Sequence, residues 1–370
     1  MNQANNNPKP TPVAQYTFDE VATHYNFPDN YGENTSIGIL SWGKVGDIGV
    51  DIESIKNILS KNGLPCPKYR FHYFGNQINN GSSSDELHMD TSIVSQFCPN
   101  TYVNIYIATF ETAYQAINQA VTDGCDVTTC SFGIKDGALM DDISAALENA
   151  AQNYVTTCFA AGDSGAASGQ PGVDEVVFPA GHPNALAVGG TMVPIAAPPQ
   201  ATSCGETPLN VEQVWWNYPK VEKNRPWWAS GGGVSKVFPV PDYQANLDSK
   251  PGTPLTGRGV PDVAAFAQGL SGDIGTSAST PTIASLILRI VSALGHPVGD
   301  IHNTIYNQSL PIEQAFNSIT IGCNIPPPPQ PGAGFGYQAQ PGWDPCTGLG
   351  VPNGGVLLGL LNKSLGDKDS

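Results

Sequence analysis

Ser277 is a residue whose type and setting could do covalent chemistry. It lies in the small-residue run GTSASTP at 275–281, directly before a helix predicted over 282–294. Backbone N–H groups at the start of a helix point at any nearby anion. A serine there could attack a carbonyl group, because those N–H groups would stabilise the oxyanion that forms. A helix cap explains the same run, since Ser and Thr are common caps and Pro favours the first turn.

A nucleophilic serine needs a base, and two carboxyl groups are placed to act as one. Glu86 and Asp90 lie four residues apart on a helix predicted over 84–97, and therefore on one face. Paired carboxyl groups share a proton, so one of them can be ionised near pH ~4, where histidine is fully protonated. A capping box, Ser83-x-x-Glu86, is the alternative explanation. Six histidines occur, none in a recognisable base motif: His24, His72, His88, His182, His296 and His302.

Asp163 is the third candidate, in FAAGDSG at the end of an apolar strand predicted over 156–161. A protonated Asp can donate a hydrogen bond to an oxyanion, whereas an ionised Asp repels it. One such donor typically contributes about 10²–10³ in rate. A Gly-Asp-Ser-Gly turn, in which Asp tolerates the tight bend, explains the motif equally well.

Strands and helices alternate along the chain and would position these residues. The predicted strands are 36–42, 69–74, 102–108, 127–132, 156–161 and 185–188, and the predicted helices are 52–59, 84–97, 112–122, 142–154 and 282–294. Strands joined through helices pair in parallel with right-handed crossovers. The sequence therefore predicts a doubly wound, mostly parallel α/β sheet with helices on both faces. Ligands of such sheets lie beyond the carboxyl ends of the strands.

Composition limits the possible partners. The chain has 370 residues, 40% of them hydrophobic and 13% charged, with a net charge of −16 and no Lys/Arg cluster. These values predict a large folded core and exclude nucleic acid as a partner. The longest apolar run, 283–294, is too short to span a membrane. We expect a monomer with one domain over 13–364, a polar segment over 1–12 and a tail over 365–370. The region 192–256 is interpreted as surface loops on the same core.

The eight cysteines give no metal or redox motif, because no CxxC pair is present. Cys130 and Cys158 lie in apolar strands and are predicted to be buried thiols. Cys323 and Cys346 flank a Pro/Gly-rich loop and could pair, a question that the sequence leaves open. The start of the chain lacks the apolar stretch of a signal peptide.

Taken together, these motifs resemble the sedolisin family of serine-carboxyl peptidases, which share the subtilisin fold but use Glu and Asp in place of His. The resemblance runs through TPVAQYTFDEVATHYNFP, GCDVTTCSFG, AAGDSGA, FPAGHPNALAVGGT, SGGGVS, GRGVPDVAAFA, GTSASTP and PGWDPCTGLGVPN. Eight blocks in the family's order make the resemblance specific over nearly the whole chain.

The resemblance implies an endopeptidase that cleaves proteins or peptides in acid. Ser277 would be the nucleophile, Glu86 the general base and acid, Asp90 the residue that orients Glu86, and Asp163 the oxyanion-stabilising acid. The residues expected along a bound peptide are Ser131, Phe132, Gly133, Ser230, Gly231 and Gly232. A non-catalytic peptide-binding relative and a conventional Ser-His-Asp hydrolase are the alternatives. Secretion or an acidic compartment is the expected location.

The resemblance also implies calcium near the carboxyl terminus, with one departure from the family. Asp344 in GWDPCTG matches one of the family's two Asp ligands, but Ser318 stands where the other is expected. Calcium prefers six or more oxygen ligands and negative charge, so a weaker site is predicted. Its candidate ligands are Ser318, Asp344 and the carbonyl oxygens of Ile319, Gln340 and Gly342, completed by Asn317 or water.

Overall fold

One sheet carries the candidate residues. The computed structural model describes residues 12–42, 49–75, 84–134, 140–167, 176–196, 204–205, 208–217, 227–270, 272, 274–328 and 332–366. The strands of the sheet are β1 (Ser36–Trp42), β2 (Lys68–Tyr73), β3 (Tyr102–Ala108), β4 (Val127–Cys130), β5 (Thr156–Ala160), β6 (Leu186–Met192), β7 (Gln213–Val214) and β8 (Val263–Phe266).

The order of the strands confirms the doubly wound prediction. Across the sheet they follow the order β8-β6-β5-β4-β1-β3-β2, with all neighbours parallel, and β7 pairs antiparallel with β6. After β1 the chain places β2 at one edge and β3 between them, and it then crosses β1 to build the other side with β4, β5, β6 and β8. Such a reversal opens a crevice at the carboxyl ends of the strands.

Helices cover both faces of the sheet. They are α1 (Phe18–His24), α2 (Ile52–Lys61), α3 (Asp85–Phe97), α4 (Ala113–Thr122), α5 (Met140–Gln152), α6 (Thr276–Leu294), α7 (His302–Ile305), α8 (Ile312–Ala315) and α9 (Gly354–Gly366). α3 and α6 pack on one face, and α4 and α5 on the other. Alternate residues of β1 serve both layers, since Ile37 and Ile39 join the α6 side whereas Leu40 and Trp42 join the α4 side.

The helix predicted over 282–294 begins six residues earlier, at Thr276, with Gly275 as its N-cap. Ser277 therefore lies inside the first turn, and the prediction that it precedes the helix is wrong. Pro281 lies within the helix. Because proline has no N–H, the carbonyl oxygen of Ser277, four residues before it, loses its helical donor.

α6 is also apolar enough to be compared with a membrane span. It has 19 residues and a mean hydropathy of 1.3 over its most apolar window, of which 83% is buried in the fold. Its neighbours are β4, β5, β6 and β8 on one side and α3 and α9 on another. It is therefore the central core helix of this domain.

Several predicted boundaries move by a few residues. The N-cap of α3 is Ser84, which accepts a hydrogen bond from the N–H of Leu87, so the predicted capping box that starts at Ser83 is wrong, and Ser83 itself lies outside the described residues. β4 ends at Cys130 instead of 132, which frees Ser131 from the strand. β6 continues to Met192, because its residues are buried throughout.

The region 192–256 is more than surface loop. Trp215 and Trp216 are almost fully buried, and with Trp227 they form a separate apolar cluster against Met192. Short paired strands occur here and beyond: Trp216–Asn217, Trp228–Ala229, Gly233–Val234, Asp248–Lys250, Thr253–Pro254, Gly259–Val260, Phe316–Asn317 and Val351–Pro352. The described part of the chain also has three 3₁₀ turns: Phe110–Thr112, Gly165–Ala167 and Asp242–Gln244.

The cysteine pairing differs from the one that the sequence left open. Cys323 forms a disulfide with Cys204, across a sequence separation of 119 residues. Cys346 is a buried thiol whose Sγ lies 3.3 Å from the carbonyl oxygen of Tyr337. Cys130 and Cys158 are buried thiols, as predicted.

Candidate active site

The first turn of α6 meets the carboxyl ends of β4 and β5. Ser131, which follows β4, places its Oγ 3.3 Å from the carbonyl oxygen of Ser277. Gly162, after β5, donates its N–H to Thr276 Oγ1 at 3.2 Å. Asp163 follows directly. The strand ends that the sequence predicted to carry the chemistry therefore enclose the start of this helix.

Ser277 occupies the second position of α6 and is 8% exposed. Gly275 precedes the helix with φ +111°, in the region that side chains rarely adopt. A Cβ atom at Gly275 would lie 2.6 Å from Asp163 Oδ2. This close approach brings the Asp163 carboxyl group against the N-terminus of the helix, where backbone N–H groups point outward.

Glu86 and Asp90 approach the same place from α3. Asp90 is fully buried, and its Oδ1 accepts a hydrogen bond from Ser131 Oγ at 2.8 Å. Glu86 is half-buried, and burial raises its pKa. The hydroxyl of Ser277 lowers this pKa as a donor, the charge of Asp163 raises it, and the hydroxyl of Ser131 lowers it again. All three groups are thus close enough to influence the proton on Glu86.

One oxygen of the Glu86 carboxyl group has no partner within the described part of the chain. Glu86 Oε1 is buried and forms no hydrogen bond with any described residue. Hydrogen bonds between a nucleophile and its base are often long until substrate binds.

Asp163 is held by Thr276, a residue outside the set of candidates predicted from the sequence. Its Oδ1 accepts the backbone N–H of Thr276 at 2.8 Å and the Thr276 hydroxyl at 2.7 Å. Burial raises the pKa of Asp163, while these two hydrogen bonds lower it. With Oδ1 engaged, Oδ2 is the oxygen left to carry a proton. Thr276 lies in the GTSASTP run next to Ser277, and this position is the feature of the sequence that could have indicated its role.

The two predicted peptide-binding segments differ in exposure. Gly133 is exposed and Phe132 is half-buried, directly after the strand end. Ser230, Gly231 and Gly232 are all buried. The latter segment lies behind the Asp163 turn rather than at its surface.

Hydrogen bonds fix this buried segment. Gly231 donates its N–H to the carbonyl oxygen of Gly162 at 2.6 Å, and Ala229 donates to that of Asp163 at 3.0 Å. Ser230 Oγ donates to the carbonyl oxygen of Cys346 at 2.7 Å. The segment therefore supports the turn that carries Asp163, and its pairing with a substrate stays a prediction.

Histidine takes no part in this arrangement. In the part of the chain that the structure describes, no histidine forms a hydrogen bond with Ser277. His302 is enclosed by Asp262 and Asp300, and His24 contacts Glu212. A Ser-His-Asp triad therefore has no support among the described contacts.

The Asp344 carboxyl group, predicted to bind calcium, is fully buried. Its Oδ1 accepts the N–H groups of Cys346 at 2.7 Å and Thr347 at 2.9 Å. Its Oδ2 has weaker partners, the hydroxyl of Thr347 at 3.2 Å and the N–H of Gln340 at 3.4 Å. Burial raises the pKa of Asp344 to about 7, against the effect of these donors.

A hydrogen bond joins the two loops that carry the predicted calcium ligands. Ser318 Oγ accepts the N–H of Gly342 at 3.1 Å, which brings the two predicted ligand loops together. Within the described ranges, no hydrogen bond reaches the carbonyl oxygens of Ile319, Gln340 or Gly342. One carboxylate, one hydroxyl and three carbonyls fit an oxygen-seeking cation with little charge. No group of three or more His, Cys, Asp or Glu placed to hold a metal occurs among the described residues.

Comparison with known proteins gives one family and several relatives. A profile described as the Subtilase family matches residues 100–308. Kumamolisin from Bacillus sp. (strain MN-32) is 34% identical over 378 residues, covering 94% of this chain and 63% of the relative. Tripeptidyl-peptidase 1 from Homo sapiens is 31% identical over 268 residues, covering 64% and 43%. Aorsin from Aspergillus oryzae is 34% identical over 255 residues, covering 56% and 35%. The chain thus spans about one to two thirds of these relatives' lengths.

Solved structures confirm the fold. Pseudomonas sedolisin, a serine-carboxyl proteinase complexed with two molecules of pseudo-iodotyrostatin, superposes with a TM-score of 0.72 at 24% identity, covering 95% of this chain and 99% of that one. Sphericase gives a TM-score of 0.51 at 17% identity, with coverage of 90% and 96%. The sheet and its helices therefore form a subtilisin-like fold.

Proposed function

Because the chain belongs to the subtilase family, in its sedolisin branch, we propose that it is a serine-carboxyl endopeptidase that cleaves proteins or peptides in acid. The observation that carries this proposal is the meeting of Ser277 with Glu86, Asp90 and Asp163 at the start of α6. No histidine among the described contacts competes for the role of base.

The proposed reaction passes through an acyl-enzyme. Ser277 Oγ attacks the peptide carbonyl carbon while Glu86 takes the hydroxyl proton, and Glu86 then gives that proton to the leaving amine. Water, deprotonated by Glu86, then attacks the acyl carbon, and Glu86 returns the proton to Ser277 Oγ as the ester bond breaks. Asp90 stabilises the charge that Glu86 carries or shares with it. Protonated Asp163 donates a hydrogen bond to the oxyanion, beside the N–H groups of the helix.

The test replaces the reacting groups singly. Ser277→Ala and Glu86→Gln are each expected to abolish casein hydrolysis near pH ~4, because nucleophile and base are both indispensable. Circular dichroism should show an unchanged fold in both variants. Full activity in either variant would overturn the mechanism.

A non-catalytic peptide-binding protein is the second candidate, and a covalent probe separates the two. A peptide aldehyde forms a hemiacetal with an activated serine. We expect the wild type to bind such an aldehyde and the Ser277→Ala variant to lose that binding. Equal binding by both proteins, with no hydrolysis, would favour a peptide-binding role.

The same proposal includes the residues that contact the substrate, the domain and oligomeric state of the protein, and its location. Ser131–Gly133 and Ser230–Gly232 are proposed to flank the peptide, the first directly and the second from behind the Asp163 turn. A single catalytic domain over 13–364 acts as a monomer, outside the cell or in an acidic compartment. Support comes from the exposure of Gly133 and from the acidic range of the proposed base.

We further propose a weak calcium site formed by Asp344, Ser318 and the carbonyl oxygens of Ile319, Gln340 and Gly342. The ion would join two loops and would take no part in the reaction. A chelator is expected to lower the melting temperature, and added calcium to restore it. An unchanged melting temperature would argue against a structural ion.

A further inference from the structure

Ser131 links the acidic pair to the nucleophile's helix. We propose that Ser131 is a positioning residue whose hydroxyl stabilises the negative charge of the Glu86–Asp90 pair and so determines how acidic a solution the base tolerates. This role, assigned to the side chain, goes beyond the peptide contact expected of the Ser131 backbone. It rests on the proposed peptidase function.

Two contacts of one oxygen carry the proposal. Ser131 Oγ lies 2.8 Å from Asp90 Oδ1 and 3.3 Å from the carbonyl oxygen of Ser277. A hydroxyl has a single proton, so it donates fully to one acceptor at a time. The shorter distance and the charge of a carboxylate favour Asp90 as that acceptor.

The second acceptor, the carbonyl oxygen of Ser277, has no helical donor because residue 281 is proline. In a regular helix the N–H of residue 281 would bond to the carbonyl oxygen of Ser277, but proline has none. Ser131 is therefore the donor that this carbonyl oxygen meets within the described chain. The carbonyl belongs to the proposed nucleophile itself, so the position of Ser131 is coupled to that of Ser277.

These contacts serve both protonation states of the pair. When Asp90 is ionised, the Ser131 hydroxyl donates to it and stabilises the charge. When Asp90 is protonated, the hydroxyl can rotate, accept from Asp90 and donate to the Ser277 carbonyl oxygen. Replacing the hydroxyl by a hydrogen atom removes the first interaction and disfavours the ionised pair. Ionisation would then need a higher pH.

Few other ionisable groups face Ser131. Glu86 and Asp90 come from α3, and Asp163 comes from the turn after β5. Cys130 precedes Ser131 on the chain, and burial raises its pKa, so it stays a neutral thiol in acid. The first turn of α6 holds no acidic residue. The carboxyl pair is therefore the group whose ionisation the Ser131 hydroxyl affects.

The pH dependence of kcat/KM tests this role. For Ser131→Ala we expect the acidic limb to move to higher pH by about 0.5–1 unit, as loss of one charge-assisted hydrogen bond would produce. At pH values below the wild-type limb, kcat should fall by about 3–10-fold while KM changes less than about twofold. Ser131→Thr, which keeps the hydroxyl, should restore the wild-type limb.

A nearby hydroxyl provides the control. Thr129 lies two residues before Ser131, within β4, and its buried Oγ1 has no hydrogen-bond partner among the described residues. Thr129→Val removes that hydroxyl with little change of shape and should leave the pH profile unchanged. An acidic limb that is identical in Ser131→Ala and wild type would overturn the proposal, as would a loss confined to KM.

A titration without turnover separates this inference from the proposed function. In the Ser277→Ala background, ¹³C NMR of the side-chain carboxyl groups should show a higher apparent pKa for the pair when Ser131 is also replaced by Ala. An unchanged titration would overturn the role of Ser131 even in an active enzyme. If the titration shifts but the wild-type chain hydrolyses no peptide, the role of Ser131 is supported and the proposed peptidase function is refuted.

Discussion

At the scale of single residues, Glu86 and Asp163 show how two carboxyl groups with raised pKa values can take different roles. Burial raises the pKa of both. Asp163 has one oxygen engaged by Thr276, which leaves the other to carry a proton toward the oxyanion. Glu86 instead faces the hydroxyl of Ser277. Environments that separate two carboxyl groups in this way are typical of acid and base partners.

Asp163 gives a prediction that depends on the direction in which its pKa is shifted. It must be protonated to donate, so activity should fall as pH rises through its raised pKa. Asp163→Asn keeps an N–H donor at every pH and should extend activity to higher pH. Asp163→Ala has no donor and should lower kcat by about 10²–10³. Initial rates between pH ~3 and ~7 measure both effects. Wild-type kcat in the Ala variant would exclude Asp163 from this role.

The sequence indicated the four candidate reacting residues because the chemistry proposed for them depends on residue type and local motif. The roles of Thr276 and of the Ser131 side chain depend instead on which strand end meets which helix turn. Nothing in the local spacing around Ser131 indicates a contact with Asp90, forty-one positions earlier in the chain. Such contacts become visible only when the fold is known.

At the scale of elements, the start of α6 shows why the predicted boundary failed. Residues 276–280 are small or hydroxylated, so they give no apolar periodicity, and Pro281 is typical of a first turn. The structure continues the helix back to Thr276 because this turn is buried against the sheet. Packing outweighed the local signal, and the extra turn is the one that carries Ser277.

Gly275 tests how closely this turn must approach Asp163. Gly275→Ala would place a Cβ atom 2.6 Å from Asp163 Oδ2 at φ +111°. We expect a loss of about 1–3 kcal/mol in the free energy of unfolding. Displacement of the carboxyl group should also lower kcat by about 10-fold or more. Denaturant unfolding and kcat measure the two effects.

Gly295 at the other end of α6 is the matched control. It has φ +77°, and among the described residues no heavy atom outside its own stretch of chain lies within 4 Å of the position of its Cβ. Gly295→Ala should lower stability by about 1 kcal/mol through backbone strain alone and leave kcat unchanged. If Gly275→Ala matched this control in kcat, the contact with Asp163 would not be required for activity.

At the scale of the whole molecule, whose net charge is −16, oppositely charged side chains form a buried cluster on the amino-terminal side of β8. Asp262 accepts hydrogen bonds from Arg258 at 2.6 Å and from Tyr306 at 2.7 Å, and lies 3.2 Å from His302. His302 also lies 2.6 Å from Asp300. Burial opposes charge here, yet Asp300 and Asp262 raise the pKa of His302 to about 9.

The cluster predicts a stability profile suited to acid. Because the folded pKa of His302 is raised, its contribution is complete below about pH 6.5 and is lost as pH rises through about 9. Burial would raise the pKa of Asp262, but Arg258 and His302 lower it to about 2, so its contribution disappears only as pH falls through about 2. Raising the pH above about 6.5 should therefore lower the melting temperature. Lowering the pH should remove the contribution of Asp262 only as the solution approaches about pH 2.

A substitution isolates the cluster from the rest of the molecule. His302→Asn should lower the free energy of unfolding by about 3–5 kcal/mol near pH ~6, because it removes the cation that Asp262 and Asp300 share and leaves Arg258 to balance only Asp262. The exposed His296 provides the control, and His296→Asn should have no effect. Equal stabilities for the two variants would contradict the assigned role of the cluster.

The architecture of the molecule was predictable, since alternating strands and helices restrict the topology to a parallel sheet. The Cys204–Cys323 disulfide was not, because spacing does not determine which cysteines meet. Burial of Trp215 and Trp216 was also missed, since their region shows no periodic pattern. Long-range contacts made by irregular segments leave little trace in local sequence.

The pH dependence of kcat/KM for the unmodified chain shows which kind of group deprotonates Ser277. A carboxyl pair that deprotonates Ser277, with a protonated Asp163 beside it, predicts a bell-shaped profile with its maximum below about pH 6. An acidic limb near pH ~6.5 with full activity at neutral pH would indicate an imidazole base, and would contradict the account.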